Sequence, residues 1–123
     1  MKLIGQAKES FEAWLKLQEF EDMNVIYNGK VFDVVYVNMK SIKRFDKLPL
    51  SMQWGVMQDF ADSVGYYMEI ETYIIDGSSD ARYYRVCIYG KVYEDFGQFN
   101  TRQEARTAAV EKFNELYNNR SVT

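Results

Sequence analysis

The sequence predicts an α+β domain of order α-ββ-α-βββ-α with an antiparallel sheet. The second and last helices lie on one face, and the N-terminal helix and hairpin on the other face or edge. Three observations predict it. Apolar residues recur at three- and four-residue steps in three separate stretches, other stretches alternate, and Asn28-Gly29 marks a two-residue turn. Strands that follow one another through short turns pair antiparallel, and their separation from the helices argues α+β.

The first helix is predicted over residues 4–20, where Ile4, Ala7, Phe11, Trp14 and Leu15 form an apolar stripe between charged neighbours. Val25-Ile26-Tyr27, Asn28-Gly29 and residues 30–37 read as a hairpin, since Asn-Gly tolerates the positive φ angles of a type I′ turn. Residues 38–48 form a basic connector carrying Lys40, Lys43, Arg44 and Lys47. Pro49 suits a helix's first turn, so the second helix begins beside it. Leu50, Trp54, Met57 and Phe60 give that helix its core face, and Gly65 its left-handed stop.

Three strands follow, predicted at 66–75, 82–89 and 92–96. The first sets Met68, Ile70 and Ile74 against Tyr67, Glu69, Glu71 and Tyr73. The second sets Tyr84, Val86 and Ile88 against Tyr83, Arg85, Cys87 and Tyr89. Residues 76–80 form a loop. Thr101 and Glu104 fit a capping box at the start of the last helix, whose apolar face is Ala105, Ala108/Ala109, Phe113 and Leu116/Tyr117.

Residues 1–123 read as a single domain, divided into helix, hairpin and connector at 1–48, an α-β-β-β-α unit at 49–119 and a frayed tail at 120–123. At 47% apolar and 27% charged, the composition is that of a globular chain. Apolar runs are too short to span a bilayer, and the opening residues lack the apolar core of a signal peptide. A lone cysteine cannot close an internal disulfide, in keeping with a reducing compartment. The expected location is therefore cytoplasmic, in a bacterial cell or an infected host cell.

With no histidine, Ser-His-Asp and Cys-His nucleophilic chemistry is excluded. One cysteine and no histidine cannot make a Cys/His zinc site. Carboxylate, lysine or tyrosine chemistry remains. Asp59, Asp62, Glu69, Glu71, Asp76 and Asp80 form an acidic set. The 76–80 stretch lacks the alternating ligands and distal glutamate of a calcium loop, so no metal or cofactor is expected.

Two groups are candidate contact residues. If the alternation holds, Tyr67, Tyr73, Tyr83, Tyr89 and Arg85 share one sheet face. Burial beneath the first helix and hairpin is the simplest reading of that face, and a partner or nucleic-acid surface is its alternative. Arg102 and Arg106 stand one turn apart at the start of the last helix, where they are candidate phosphate contacts.

The α-β-β-β-α order of 49–119 resembles that of a double-stranded-RNA-binding domain, whose last helix opens on Lys-Lys-x-Ala-Lys. Here the stretch is Thr101-Arg102-Gln103-Glu104-Ala105-Arg106, with Gln103 at a basic position and an added negative charge at Glu104. Residues 49–123 hold 7 basic and 11 acidic side chains, net −4, which opposes a phosphate partner. A second resemblance rests on Ala7-Lys8-Glu9-Ser10-Phe11-Glu12-Ala13-Trp14, on residues 48–65 from Leu48-Pro49-Leu50-Ser51-Met52-Gln53-Trp54, and on residues 100–118. Together they resemble small proteins encoded by gut bacteria and their phages and mobile elements. That resemblance implies an accessory role and carries no functional residues with it.

The expectation is therefore a non-enzymatic binding or accessory protein that docks onto a protein partner or a second copy of itself. Nucleic-acid binding is the first alternative and a carboxylate enzyme the second.

Overall fold

The computed structural model describes residues 1–18, 24–27, 30–33, 45–75 and 82–120. In chain order its elements are α1 (Gly5–Leu17), β1 (Asn24–Tyr27), β2 (Lys30–Asp33), α2 (Leu50–Ser63), β3 (Tyr66–Ile74), β4 (Arg82–Gly90), β5 (Glu94–Phe99) and α3 (Arg102–Asn118). This is the α+β order that the sequence predicts. β1 and β2 pair antiparallel as a sheet of their own, with Tyr27 opposite Lys30, which leaves two residues for the connection. The expected Asn28-Gly29 turn, the second hairpin arm beyond residue 33 and the connector up to Arg44 lie outside the described residues. The larger sheet runs β3-β4-β5, antiparallel throughout.

The punctuation follows local chemistry. Pro49 precedes α2, and its carbonyl accepts from Met52 and Gln53 N–H. The buried Gln53 amide donates to the carbonyls of Asp46 and Leu48, which fixes the turn before the helix. Gly65, at φ +89°, ends α2 in a conformation that a β-carbon disfavours, and its N–H returns to Asp62 O. Thr101 Oγ1 accepts from Glu104 N at 3.1 Å to cap α3.

β5 is displaced from the predicted 92–96. Tyr84 pairs with Phe99 but Val86 with Phe96, so β5 carries one residue more than β4 across this interval. The surplus residue makes a bulge at Gly97, where φ is +93° and a β-carbon would collide with the Phe99 ring. The bulge prolongs pairing past Phe96, and the turn after Gly90 takes up residues 91–93.

α1, α2 and α3 gather on one side of the sheet. The inner face presents Tyr66, Met68, Val86 and Ile88 to Phe113, Ala105 and Ala109 of α3 and to Met57 and Phe60 of α2. The small alanines let α3 lie close along β4. Phe60 joins the helices: its ring lies 5.2 Å from Phe11, 5.6 Å from Trp14, 5.8 Å from Phe113 and 6.2 Å from Tyr117. Tyr66 carries the chain of rings to the sheet, 5.4 Å from Phe113.

The placement of α1 corrects the expectation that it covers the other face or an edge. Its apolar stripe packs on α2 and α3, where Phe11 also meets Phe45 at 4.9 Å. The physical reason is aromatic complementarity with Phe60, reinforced by polar ties to the end of α3. Ile4 offers no capping side chain, and Asn114 Oδ1 accepts from Ile4 N at 2.8 Å while Asn118 Oδ1 accepts from Ala7 N at 2.8 Å. These are the two N–H groups that a capping box satisfies locally. Asn118 Nδ2 also donates to Ile4 O, and Tyr117 Oη donates to Ser10 Oγ at 2.8 Å.

Two stability effects follow, each measurable by urea unfolding. Phe60→Ala empties the point where the three helices meet and should cost about 3–5 kcal/mol, whereas Tyr93→Ala, at an exposed ring, should stay within about 0.5 kcal/mol. Asn118→Ala should cost about 1–2 kcal/mol through loss of the cap on α1.

Candidate functional site

The alternation of β3 and β4 sends one set of side chains away from the helices. Register then stacks that set in four rows: Tyr67 opposite Tyr89, Glu69 opposite Cys87, Glu71 opposite Arg85, and Tyr73 opposite Tyr83. β5 adds Asp95 opposite Cys87. The sequence places Tyr67, Tyr73, Tyr83, Arg85 and Tyr89 on one face, and the structure brings them together there.

Burial of this face, the simplest expectation, is not what the structure shows. Tyr67, Tyr73 and Tyr89 retain 41%, 38% and 39% exposure, and Tyr83 is half-buried. Among the described residues no helix lies over them, because α1 has gone to the helical side. The rings pair across the strands instead. Tyr73 and Tyr83 stack at 5.2 Å with planes 8° apart, and Tyr67 and Tyr89 lie 5.4 Å apart, tilted by 31°.

The centre of the face is polar. Tyr73 Oη donates to Glu71 Oε2 at 2.7 Å, and Tyr89 Oη donates to Glu69 Oε1 at 2.8 Å. Each end of the face thus leans toward a carboxylate in the middle. Arg85 Nε donates to Asp95 Oδ1 at 3.0 Å, and Arg85 Nη1 to Gly97 O at 3.2 Å, a carbonyl at the bulge. The described face therefore carries Glu69, Glu71 and Asp95 against Arg85 alone. Alternation along the sequence puts Glu69 and Glu71 on the side of Tyr67 and Tyr73, whereas Asp95 joins the face only through pairing with a displaced strand.

Cys87 is buried in the middle of this array. Burial, then the charges of Glu71, Asp95 and Glu69, push its thiol above the ordinary value of 9.0. A buried thiol with a raised pKa has little of the accessible thiolate that reactivity needs. The carboxylate-enzyme alternative requires a concave site around Glu69 or Glu71. Glu69 is exposed and Glu71 half-exposed. Among the described residues no group of three metal-ligating side chains comes together. The 76–80 loop with Asp76 and Asp80 lies outside the described residues, as do Lys40, Lys43 and Arg44.

The two arginines are placed elsewhere. Arg102 is exposed at the start of α3, its guanidinium 5.3 Å from the Tyr84 ring. Arg106 is half-buried one turn later. Tyr84 belongs to the inner set of β4, so both arginines lie on the helical side, across the sheet from the tyrosine rows. The two candidate groups do not form one surface.

The chain matches no protein-family model. No curated protein and no solved structure matches it either. No helix among the described residues is long and apolar enough to cross a membrane.

The tyrosine–carboxylate contacts make titration a probe of the face. The proton that Tyr73 shares with Glu71, with that carboxylate's charge behind it, raises the Tyr73 pKa above 10.0. The bond to Glu69, aided by partial desolvation, does the same for Tyr89. Since both values lie above those of the unfolded chain, the contacts add stability at neutral pH and lose it as pH rises past 10.0. Tyrosinate absorbance should show these two residues titrating late. Glu71→Gln should bring Tyr73 back toward 10.0 and leave Tyr89 unchanged. The Cys87 thiol should be alkylated far more slowly in the folded protein than after unfolding.

Proposed function

We propose that the protein is a non-enzymatic binding protein that docks a protein partner on the outer face of its sheet. The observation that carries this reading is the exposure of three tyrosines on a face over which no described helix lies, each ring paired across the strands and the hydroxyls of Tyr73 and Tyr89 held by hydrogen bonds. Tyrosine is a common anchor of protein interfaces, because a large rigid ring is buried at a low entropic cost and its hydroxyl still finds a partner. The pairing of rings across β3 and β4 lowers that cost further, since the rings are ordered before a partner arrives.

Charge favours a protein over a nucleic acid. Nucleic-acid affinity comes mainly from neutralising phosphates, and among the described residues the centre of this face carries three carboxylates to one guanidinium, itself bonded to Asp95. Arg102 and Arg106, the residues that would reach a duplex, lie on the other side of the sheet. An accessory role in a bacterial or infected cell, as the resemblance of residues 7–14, 48–65 and 100–118 implies, is part of the same proposal.

A photo-reactive side chain at position 67 or 83 tests the reading in cells that make the protein. It should cross-link to a discrete protein, and the same group at Glu111, exposed on α3, should not. Tyr73→Ala combined with Tyr89→Ala should reduce cross-linking from position 67 by about tenfold or more. Cross-links confined to position 111, or to RNA, would overturn the proposal.

A further inference from the structure

The outer face has a definite charge pattern along one strand. On β3, Tyr67, Glu69, Glu71 and Tyr73 point the same way at alternate positions. Alternate residues of a strand stand about 6.7 Å apart, so the row spans about 20 Å. The two carboxylates occupy its middle and a tyrosine stands at each end. Glu69 and Glu71 each accept a hydroxyl bond through one carboxylate oxygen, Glu69 Oε1 and Glu71 Oε2. A carboxylate has about four lone-pair sites, so among the described residues the accepting capacity of the row is far from filled by one hydroxyl each. Arg85, the cation of the face, is bonded to Asp95 and Gly97 O. Among the described residues, the negative charge of the row is therefore left for an incoming group.

The rings reinforce it. A phenol that donates to a carboxylate holds more electron density in its ring, and an electron-rich ring attracts a cation at its face. An ammonium or guanidinium set down between the tyrosine rows would meet carboxylates beneath it and rings on either side. A second copy of this chain would bring the same excess of carboxylates into contact with its own kind, a like-charge juxtaposition that disfavours pairing.

Resting on the docking reading above, we infer that the occupant of the outer face is an extended basic segment of a partner protein, with lysine or arginine at two alternate positions. An extended chain spaces alternate side chains by the same interval as Glu69 and Glu71, so two cations of such a segment meet the two carboxylates in register. The residues that flank them fall over Tyr67 and Tyr73.

The test uses the whole chain and three synthetic peptides of equal length: one alternating lysine and threonine, one with the same lysines in a single block, and one alternating glutamate and threonine. Binding is followed by backbone amide shifts. The alternating lysine peptide should move amides of residues 67–73 and 83–89. It should bind about tenfold more weakly to Glu69→Gln combined with Glu71→Gln, which circular dichroism should show folded, and should weaken with added salt. Equal binding of the block peptide would overturn the register match, and hence the inference. Binding of the glutamate peptide, or of single-stranded RNA, to the same amides would overturn it too. So would self-association that Tyr73→Ala abolishes. If no peptide binds while position 67 still cross-links to a protein, the basic segment is refuted and the docking reading stands. If position 67 also fails to cross-link, both fall.

Discussion

The Phe60 ring is the constraint on which the arrangement depends. It lies within ring-contact distance of Phe11 and Trp14 on α1 and of Phe113 and Tyr117 on α3. A single buried aromatic thereby commits three amphipathic helices to one cluster. Tyr66 extends the cluster to the sheet through Phe113. Because α1 spends its apolar stripe on this centre, it has none to lay over the far side of β3 and β4. That no described helix lies over the outer face follows from where the helices found their best packing.

The outer face is built differently from a core surface. An exposed row of valines or leucines would invite indiscriminate association. Here the large side chains are tyrosines, whose rings pair across the strands and whose hydroxyls at positions 73 and 89 are held by Glu71 and Glu69. The result is a surface that is apolar in area, ordered by the bonded hydroxyls of Tyr73 and Tyr89, and negative at its centre. Arg85 is drawn to one side by Asp95 and the carbonyl exposed at the Gly97 bulge, so an irregularity in the edge strand shapes the electrostatics of the whole face.

Much of this was legible in the sequence because it is local. Alternation assigned Tyr67, Tyr73, Tyr83, Arg85 and Tyr89 to one face, the period of α2 gave Trp54, Met57 and Phe60 to the core, and Thr101 announced the start of α3. What the sequence withheld is relational. The stripe on α1 says that Phe11 is buried but not against what, and the structure sets it beside Phe60. Alternation divides a strand into two sides without saying which will be covered. The Gly97 bulge shifts β5 past its apparent end at Phe96, since a lone glycine in a short strand reads equally as weakness or as turn. The side chains that cap α1 come from Asn114 and Asn118, more than a hundred residues away, where no local pattern points to them.

That last contact also bears on how the molecule is made. Synthesis runs from α1 toward α3, and domains ordinarily settle as units during and after it. The amide groups that open α1 receive their partners only from the final turns of α3, and the Phe11 stripe has no complete site until Phe113 and Tyr117 are in place. Of the three helices, α1 leaves the ribosome first and is finished last. Closure of the fold therefore waits for its C-terminal helix, and a nascent chain that stalls short of residue 114 would hold its opening helix uncapped and its aromatic stripe open to whatever chaperone is nearby.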